Sequence, residues 1–273
     1  MYFYTLNALN EETFVENMNL LREVGVDFIY TSEPNFKHTS EKFNYGRLEA
    51  YEGFRYAYLV NTTNSKKSPI NFEMALQNSE FKHVTFDIEP KSSFDGPVDE
   101  ESEKLIHDGN LWIRKAAESG RSVSAYINPR QVPGVDKSRN KIYNYGETLN
   151  ILKEFNGEVI IPAYPGPNDS IVNINHAASL AKLCNELGVR CRFVISGSDY
   201  TKEECGSDHI KEEKDLEAFT TRLNDLSDKM DKFNLLMVKP VIYKMGGGPT
   251  RQYKAAYVKA TKAFILKNAA LWI

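Results

Sequence analysis

The 273-residue sequence contains only three cysteines, Cys184, Cys191 and Cys205, with no CxxC pair among them. An odd, widely spaced set cannot complete a disulfide framework and lacks the spacing of a zinc site, so a reducing compartment is the simplest home. No apolar run approaches the roughly 18–20 residues that a membrane-spanning helix needs. The opening MYFYTLNALNEETF has neither a basic segment nor a long apolar one. Together these absences predict a cytoplasmic protein without a signal peptide, a secreted mature form being the alternative. Basic runs are missing too, and a net charge of −3 leaves no electrostatic footprint for nucleic acid. HxH, HExxH and GxSxG do not occur, nor does a dinucleotide-type glycine fingerprint after any strand. The five histidines, His38, His83, His107, His176 and His209, therefore read as surface or packing residues. Tryptophan is scarce, at 2 residues, whereas Tyr and Phe number 15 each.

What the chain does have is a repeated junction. An amphipathic helix ends at glycine and a short β-branched or aromatic strand follows: LLREVG-VDFIY, KAAESG-RSVSAYI, LKEFNG-EVIIPAY and CNELG-VRCRFVI. Glycine just past a helix supplies the left-handed conformation that other residues resist, which is expected at Gly25, Gly120, Gly157 and Gly188. Extending the pattern predicts eight strands, at 2–7, 27–32, 55–61, 83–89, 122–128, 158–164, 191–197 and 235–243. Helices are predicted at 11–24, 69–79, 99–119, 144–155, 171–187, 211–232 and 251–268, and both tryptophans are read as helical. Alternating strands and helices imply a parallel sheet with right-handed crossovers. Eight such units predict an α/β fold, a single (β/α)8 TIM barrel spanning residues 1–273.

Function in this architecture gathers at the C-terminal ends of the strands. The predicted ends carry Asn7, Glu33, Asn61, Asp87, Glu89, Tyr126, Asn128, Tyr164, Ser196 and Tyr243, a polar and tyrosine-rich mouth. The fourth strand, HVTFDIEPKS, is the most informative. Asp87 and Glu89 are two residues apart, so their carboxylates project to one face, close enough for repulsion to keep one of them protonated near neutral pH. That is the arrangement of a general acid beside an ionised partner.

FDIE at the end of this strand resembles the close of the DxxDxDxE motif of family 18 glycoside hydrolases, the chitinases and endo-β-N-acetylglucosaminidases. Lys82 and Thr85 stand where that motif has its two earlier aspartates. PAYPG at the end of the sixth strand resembles the family's Met-x-Tyr element. The resemblance implies Glu89 as general acid, Asp87 as the group that orients the substrate's 2-acetamido group, and Tyr164 as a substrate contact. It further implies cleavage beside an N-acetylhexosamine in an oligosaccharide or polysaccharide, with no metal or other cofactor. Asn7, Glu33, Tyr126, Asn128 and Tyr243 are the expected substrate-binding residues.

Two other readings stay open. KMGGGPTRQ is a glycine-rich loop entering the last helix, the region where such barrels hold phosphate. A phosphorylated metabolite bound at Gly246–Gly248, with a divalent metal on Asp87, Glu89 and Glu33, is the alternative enzyme. A barrel that binds glycans without cleaving them is the non-catalytic one. Oligomeric state is not legible.

Overall fold

Eight short parallel strands close on themselves, and among the described residues helices alternate with them from β3 onward. The computed structural model describes residues 2–4, 19, 28–32, 55–61, 68–77, 81–88, 90, 99–132, 135, 145–163, 173–196, 212–243 and 251–273. The strands are β1 (Tyr2–Tyr4), β2 (Phe28–Ser32), β3 (Arg55–Asn61), β4 (His83–Asp87), β5 (Ser122–Tyr126), β6 (Glu158–Pro162), β7 (Arg190–Ser196) and β8 (Val241–Tyr243). Each pairs in parallel with the next, and β8 pairs with β1, so the barrel is closed as the sequence predicts. The helices are α1 (Ser68–Gln77), α2 (Glu100–Glu118), α3 (Gly146–Glu154), α4 (Asn173–Leu187), α5 (Glu212–Phe233) and α6 (Arg251–Lys267). The helix expected at 11–24 lies outside the described residues apart from Asn19. Among the described residues no helix is long and apolar enough to cross a membrane.

Local chemistry accounts for where the elements start and stop. The Asp99 side chain accepts a hydrogen bond from the Ser102 N–H at 2.7 Å, and Glu100, Glu101 and Glu103 fill the first turn of α2. Carboxylates there complement the exposed N–H groups and the positive end of the helix dipole. Gly120 (φ +84°) and Gly188 (φ +71°) take the left-handed conformation after α2 and α4, as expected. Gly157 does not. At that junction Asn156 adopts the left-handed conformation (φ 52°). Glycine follows because a Cβ there would come within 2.9 Å of Val123 O and of Leu152 Cδ2.

Alternation along the strands separates two environments. The outward residues of β4 and β5 and those just past them, Val84, Phe86, Ile88, Val123, Ala125 and Ile127, are buried in one continuous apolar layer under the helices. Phe86 meets Phe72 of α1 at a centroid distance of 6.0 Å, and Phe72 stacks on Trp112 of α2 at 5.8 Å. Burying one such ring contributes about 1.5–3 kcal/mol. Three sulfurs share this outer layer: Cys191 Sγ lies 3.4 Å from Met237 Sδ, and its thiol is hydrogen-bonded with that of Cys184. That bond and burial push the Cys191 thiol up, well above the usual thiol range.

Two boundaries depart from expectation. Regular pairing in the last strand is confined to Val241–Tyr243, whereas 235–243 was expected. Before it, the Met237 N–H donates to Leu271 O and Met237 O accepts from the Ile273 N–H, so this residue pairs with the chain end, while the Val238 N–H donates to Cys191 O of β7. Trp272, expected on a helix, sits in that bridge, beyond the 3-10 turn Ala269–Leu271, with its indole N–H donating to Ile265 O at 2.7 Å.

Candidate functional site at the C-terminal mouth

The inward faces of β4 and β5 and of the first residues of β6 and β7 are unusually polar for a parallel barrel, whose strands normally read as near-continuous apolar runs. On β4 the inward residues His83, Thr85 and Asp87 form a column from the N-terminal floor to the C-terminal mouth. Ser124 of β5 joins the lower two: its hydroxyl lies 2.8 Å from His83 Nε2 and 2.8 Å from Thr85 Oγ1. At the top, Asp87 is half-buried, and its Oδ1 is shielded from solvent. In register with it are Asn61 at the end of β3 and Tyr126 at the end of β5, which is itself half-buried. Asp87 is thus an acid on a strand end, level with the phenol-bearing Tyr126, where barrels of this kind carry their chemistry.

A second polar cluster occupies the floor. Glu158, the first residue of β6, accepts from Arg192 Nε at 2.7 Å and also from Arg192 Nη2, while Arg190 Nη2 approaches its other oxygen at 2.8 Å. Arg192 is 1% exposed and donates through Nη1 to Lys239 O at 3.2 Å. These groups open their strands at the N-terminal side, away from the mouth, so their role is to hold the barrel together.

The expected site residues divide accordingly. Asp87 and Tyr126 are brought together at one level of the mouth. Asn128 lies just past β5, where its Oδ1 accepts from the Arg130 N–H at 3.0 Å and caps the 3-10 turn Pro129–Gln131. Tyr243 ends β8, in register with Tyr4 and Ser196, and its backbone alone is described. Glu89, Tyr164, Asn7 and Glu33 lie outside the described residues, as do Gly246–Gly248. Among the described residues no three His, Cys, Asp or Glu side chains gather as a metal site. The sequence reading missed the His83–Ser124–Thr85 chain and the Glu158–Arg192 cluster. Their signal was present as polar residues at every second position of β4 and β5, and as Glu158, Arg190 and Arg192 early in β6 and β7, where a parallel barrel strand is expected to be apolar throughout.

No family model matches the chain, and neither does any curated protein. Solved structures do. The catalytic domain of β-amylase from Paenibacillus polymyxa aligns with 98% of this chain and 97% of its own, at 9% identity and a TM-score of 0.54. An L-ribulose 3-epimerase aligns with 99% of this chain and 95% of its own, at 11% identity and a TM-score of 0.52. A xylose isomerase-like TIM barrel protein from Mycobacterium smegmatis, in complex with magnesium, covers 95% and 90% at 10% identity and 0.50. At these identities the likeness is one of fold.

The resemblance to family 18 glycoside hydrolases is overturned. The solved structures that match include sugar isomerase-like and epimerase barrels, and the motif's internal acids have no counterpart here. Thr85 stands at one such position and is bonded to Ser124, and Lys82 at the other is exposed outside the strand. A hydroxyl and an ammonium cannot relay charge to Asp87 as carboxylates do.

Proposed function

We propose that this chain is an enzyme that acts on a carbohydrate, its 1–273 span forming one barrel domain with acid–base chemistry carried by Asp87 and Glu89. The observation that carries the reading is the position of Asp87: a partly shielded carboxylate on the end of β4, level with Tyr126, above a polar column that lines the barrel. The β-amylase and the L-ribulose 3-epimerase that share the fold are, by name, proteins of sugars, which supports this substrate class.

The reaction proposed is hydrolysis of a glycosidic bond. Glu89 protonates the departing oxygen as the 2-acetamido oxygen of an N-acetylhexosamine bonds to that sugar's anomeric carbon, with Asp87 orienting the acetamide. Water then opens the resulting oxazolinium ring and returns its proton to Glu89, so the cycle requires no metal. Tyr126 and Tyr164 offer phenol groups for hydroxyl recognition and ring stacking, with Asn7, Glu33, Asn128 and Tyr243 completing the rim. Replacing the acid, Glu89→Gln, lowers turnover by about 10²–10⁴-fold with substrate binding retained.

A second reading, isomerisation or epimerisation of a free sugar, is supported by the magnesium-bound xylose isomerase-like barrel of the same fold. Asp87, Glu89 and Glu33 supply the hard oxygen donors that magnesium takes, Asp87 being the one whose position is described. The ion when bound would polarise a sugar oxygen. A panel of nitrophenyl glycosides, N-acetylhexosamine oligomers, aldoses and ketoses, assayed with and without EDTA, decides between them. Hydrolysis indifferent to EDTA supports the first; isomerisation lost on chelation and restored by Mg²⁺ replaces it with the second.

A further inference from the structure

The end of β4 is gripped from outside the barrel by residues that this chemistry does not use. Ile88 follows Asp87 and is fully buried. Its side chain lies against Gly109 of α2, where an added Cβ would come within 3.1 Å of Ile88 Cδ1. Its carbonyl oxygen faces the Tyr145 hydroxyl at 3.4 Å, and the same hydroxyl lies 3.3 Å from Gln131 Oε1. Tyr145 is wholly buried and Gln131 is 4% exposed. One O–H proton divided between two acceptors makes two longer bonds in place of one at the usual ~2.7–2.8 Å. Gln131 is itself set in place by the 3-10 turn that Asn128 caps. Tyr145 thus touches the Ile88 peptide itself, Gln131 fixes the Tyr145 hydroxyl, and α2 packs on the Ile88 side chain, all one residue beyond the acid.

We infer that Tyr145 and Gln131 are positioning residues: they hold the Ile88 peptide, and through it the direction in which the Asp87 carboxylate enters the mouth. The inference rests on the reading of Asp87 as a site residue. Its physical basis is that a strand end bounded by loops drifts unless its last carbonyls are held, and a drift on the scale of an ångström at a reacting group is expensive in rate.

The test follows the Asp87 carboxyl directly and requires no substrate. Protein labelled with [γ-13C]aspartate is titrated by NMR, and the Asp87 resonance is assigned by its loss in Asp87→Asn. Tyr145→Phe keeps the ring and removes the hydroxyl. It is expected to move the Asp87 midpoint by roughly 0.3 pH unit or more, a twofold change in the ionisation constant. Ser227→Ala serves as the control. It removes the buried Ser227 Oγ–Asn268 Oδ1 bond of 3.0 Å between α5 and the residue after α6, a loss of stability on elements that take no part in the brace, and is expected to leave the midpoint in place. An unchanged Asp87 titration in Tyr145→Phe overturns the inference, as does an equal shift in Ser227→Ala. If no sugar in the panel is turned over, the proposed function fails while the titration still decides the brace.

Discussion

Glu158→Leu leaves two arginines facing each other without the carboxylate that both of them contact. Arg192 is the one that suffers, since it is 1% exposed and gives Glu158 both Nε and Nη2. Orphaning one member of a buried pair costs about 3–5 kcal/mol, because the remaining charge has lost its water without compensation. Arg192→Met is milder. Glu158 then keeps Arg190 at 2.8 Å, a side chain 36% exposed, so about 1–3 kcal/mol is expected for the lost bonds and the Lys239 carbonyl left bare. In the double variant Glu158→Leu, Arg192→Met both buried charges are gone and Arg190 can turn to solvent. Its stability is expected within about 1 kcal/mol of wild type, or above it, since apolar replacements of buried ion pairs are often neutral or stabilising. Urea unfolding of the four proteins gives the cycle. Strictly additive single effects, or a loss below about 1 kcal/mol for Glu158→Leu, would refute a dry, mutually dependent pair.

Three further outcomes follow from neighbouring features. Ser124→Ala removes the shared partner of His83 and Thr85 and is expected to cost about 1–3 kcal/mol in the same unfolding assay. Gly157→Ala drives a Cβ against a backbone carbonyl that cannot yield, Val123 O, with an expected loss of about 1–3 kcal/mol and a lower thermal midpoint. The raised Cys191 thiol gives a pH dependence. Folding holds the proton that the unfolded thiol releases above about pH 8.5, so stability is full below that value. It then declines towards higher pH, by at most about 1.4 kcal/mol per unit for this group. Cys191→Ala flattens the alkaline limb of the stability profile; an unchanged slope contradicts the assignment.

The fold was legible because each strand–helix unit states itself locally. The junctions at Gly120 and Gly188, the capped start of α2 and the apolar outward faces of β4 and β5 are short-range patterns, and short-range patterns survive in sequence. The placement of Asp87 at the mouth followed from them directly. Gly157 was assigned the correct element boundary for a different physical reason, since a glycine needed for close approach and one needed for a left-handed turn look alike in a sequence. The partners of the inward residues were not legible. Glu158 and Arg192 are 34 positions apart and Tyr145 and Ile88 are 57 apart, distances that only the closed barrel removes. The last strand was overextended because LLMVKPVIY is apolar but for Lys239, and composition alone cannot tell pairing within the barrel from pairing with the chain end. DxE at a strand end was over-read as a family motif, although the residues before it, Lys82 and Thr85, carry none of that motif's charge.

Turnover of the sugar panel by wild type and by Asp87→Asn, compared at equal thermal midpoint, tests the central claim most directly. The substitution keeps the shape of the side chain and removes its charge. The account predicts at least one sugar substrate for the wild type and a fall in kcat/KM of about 10²-fold or more in the variant. A substrate processed equally well by both proteins would contradict it.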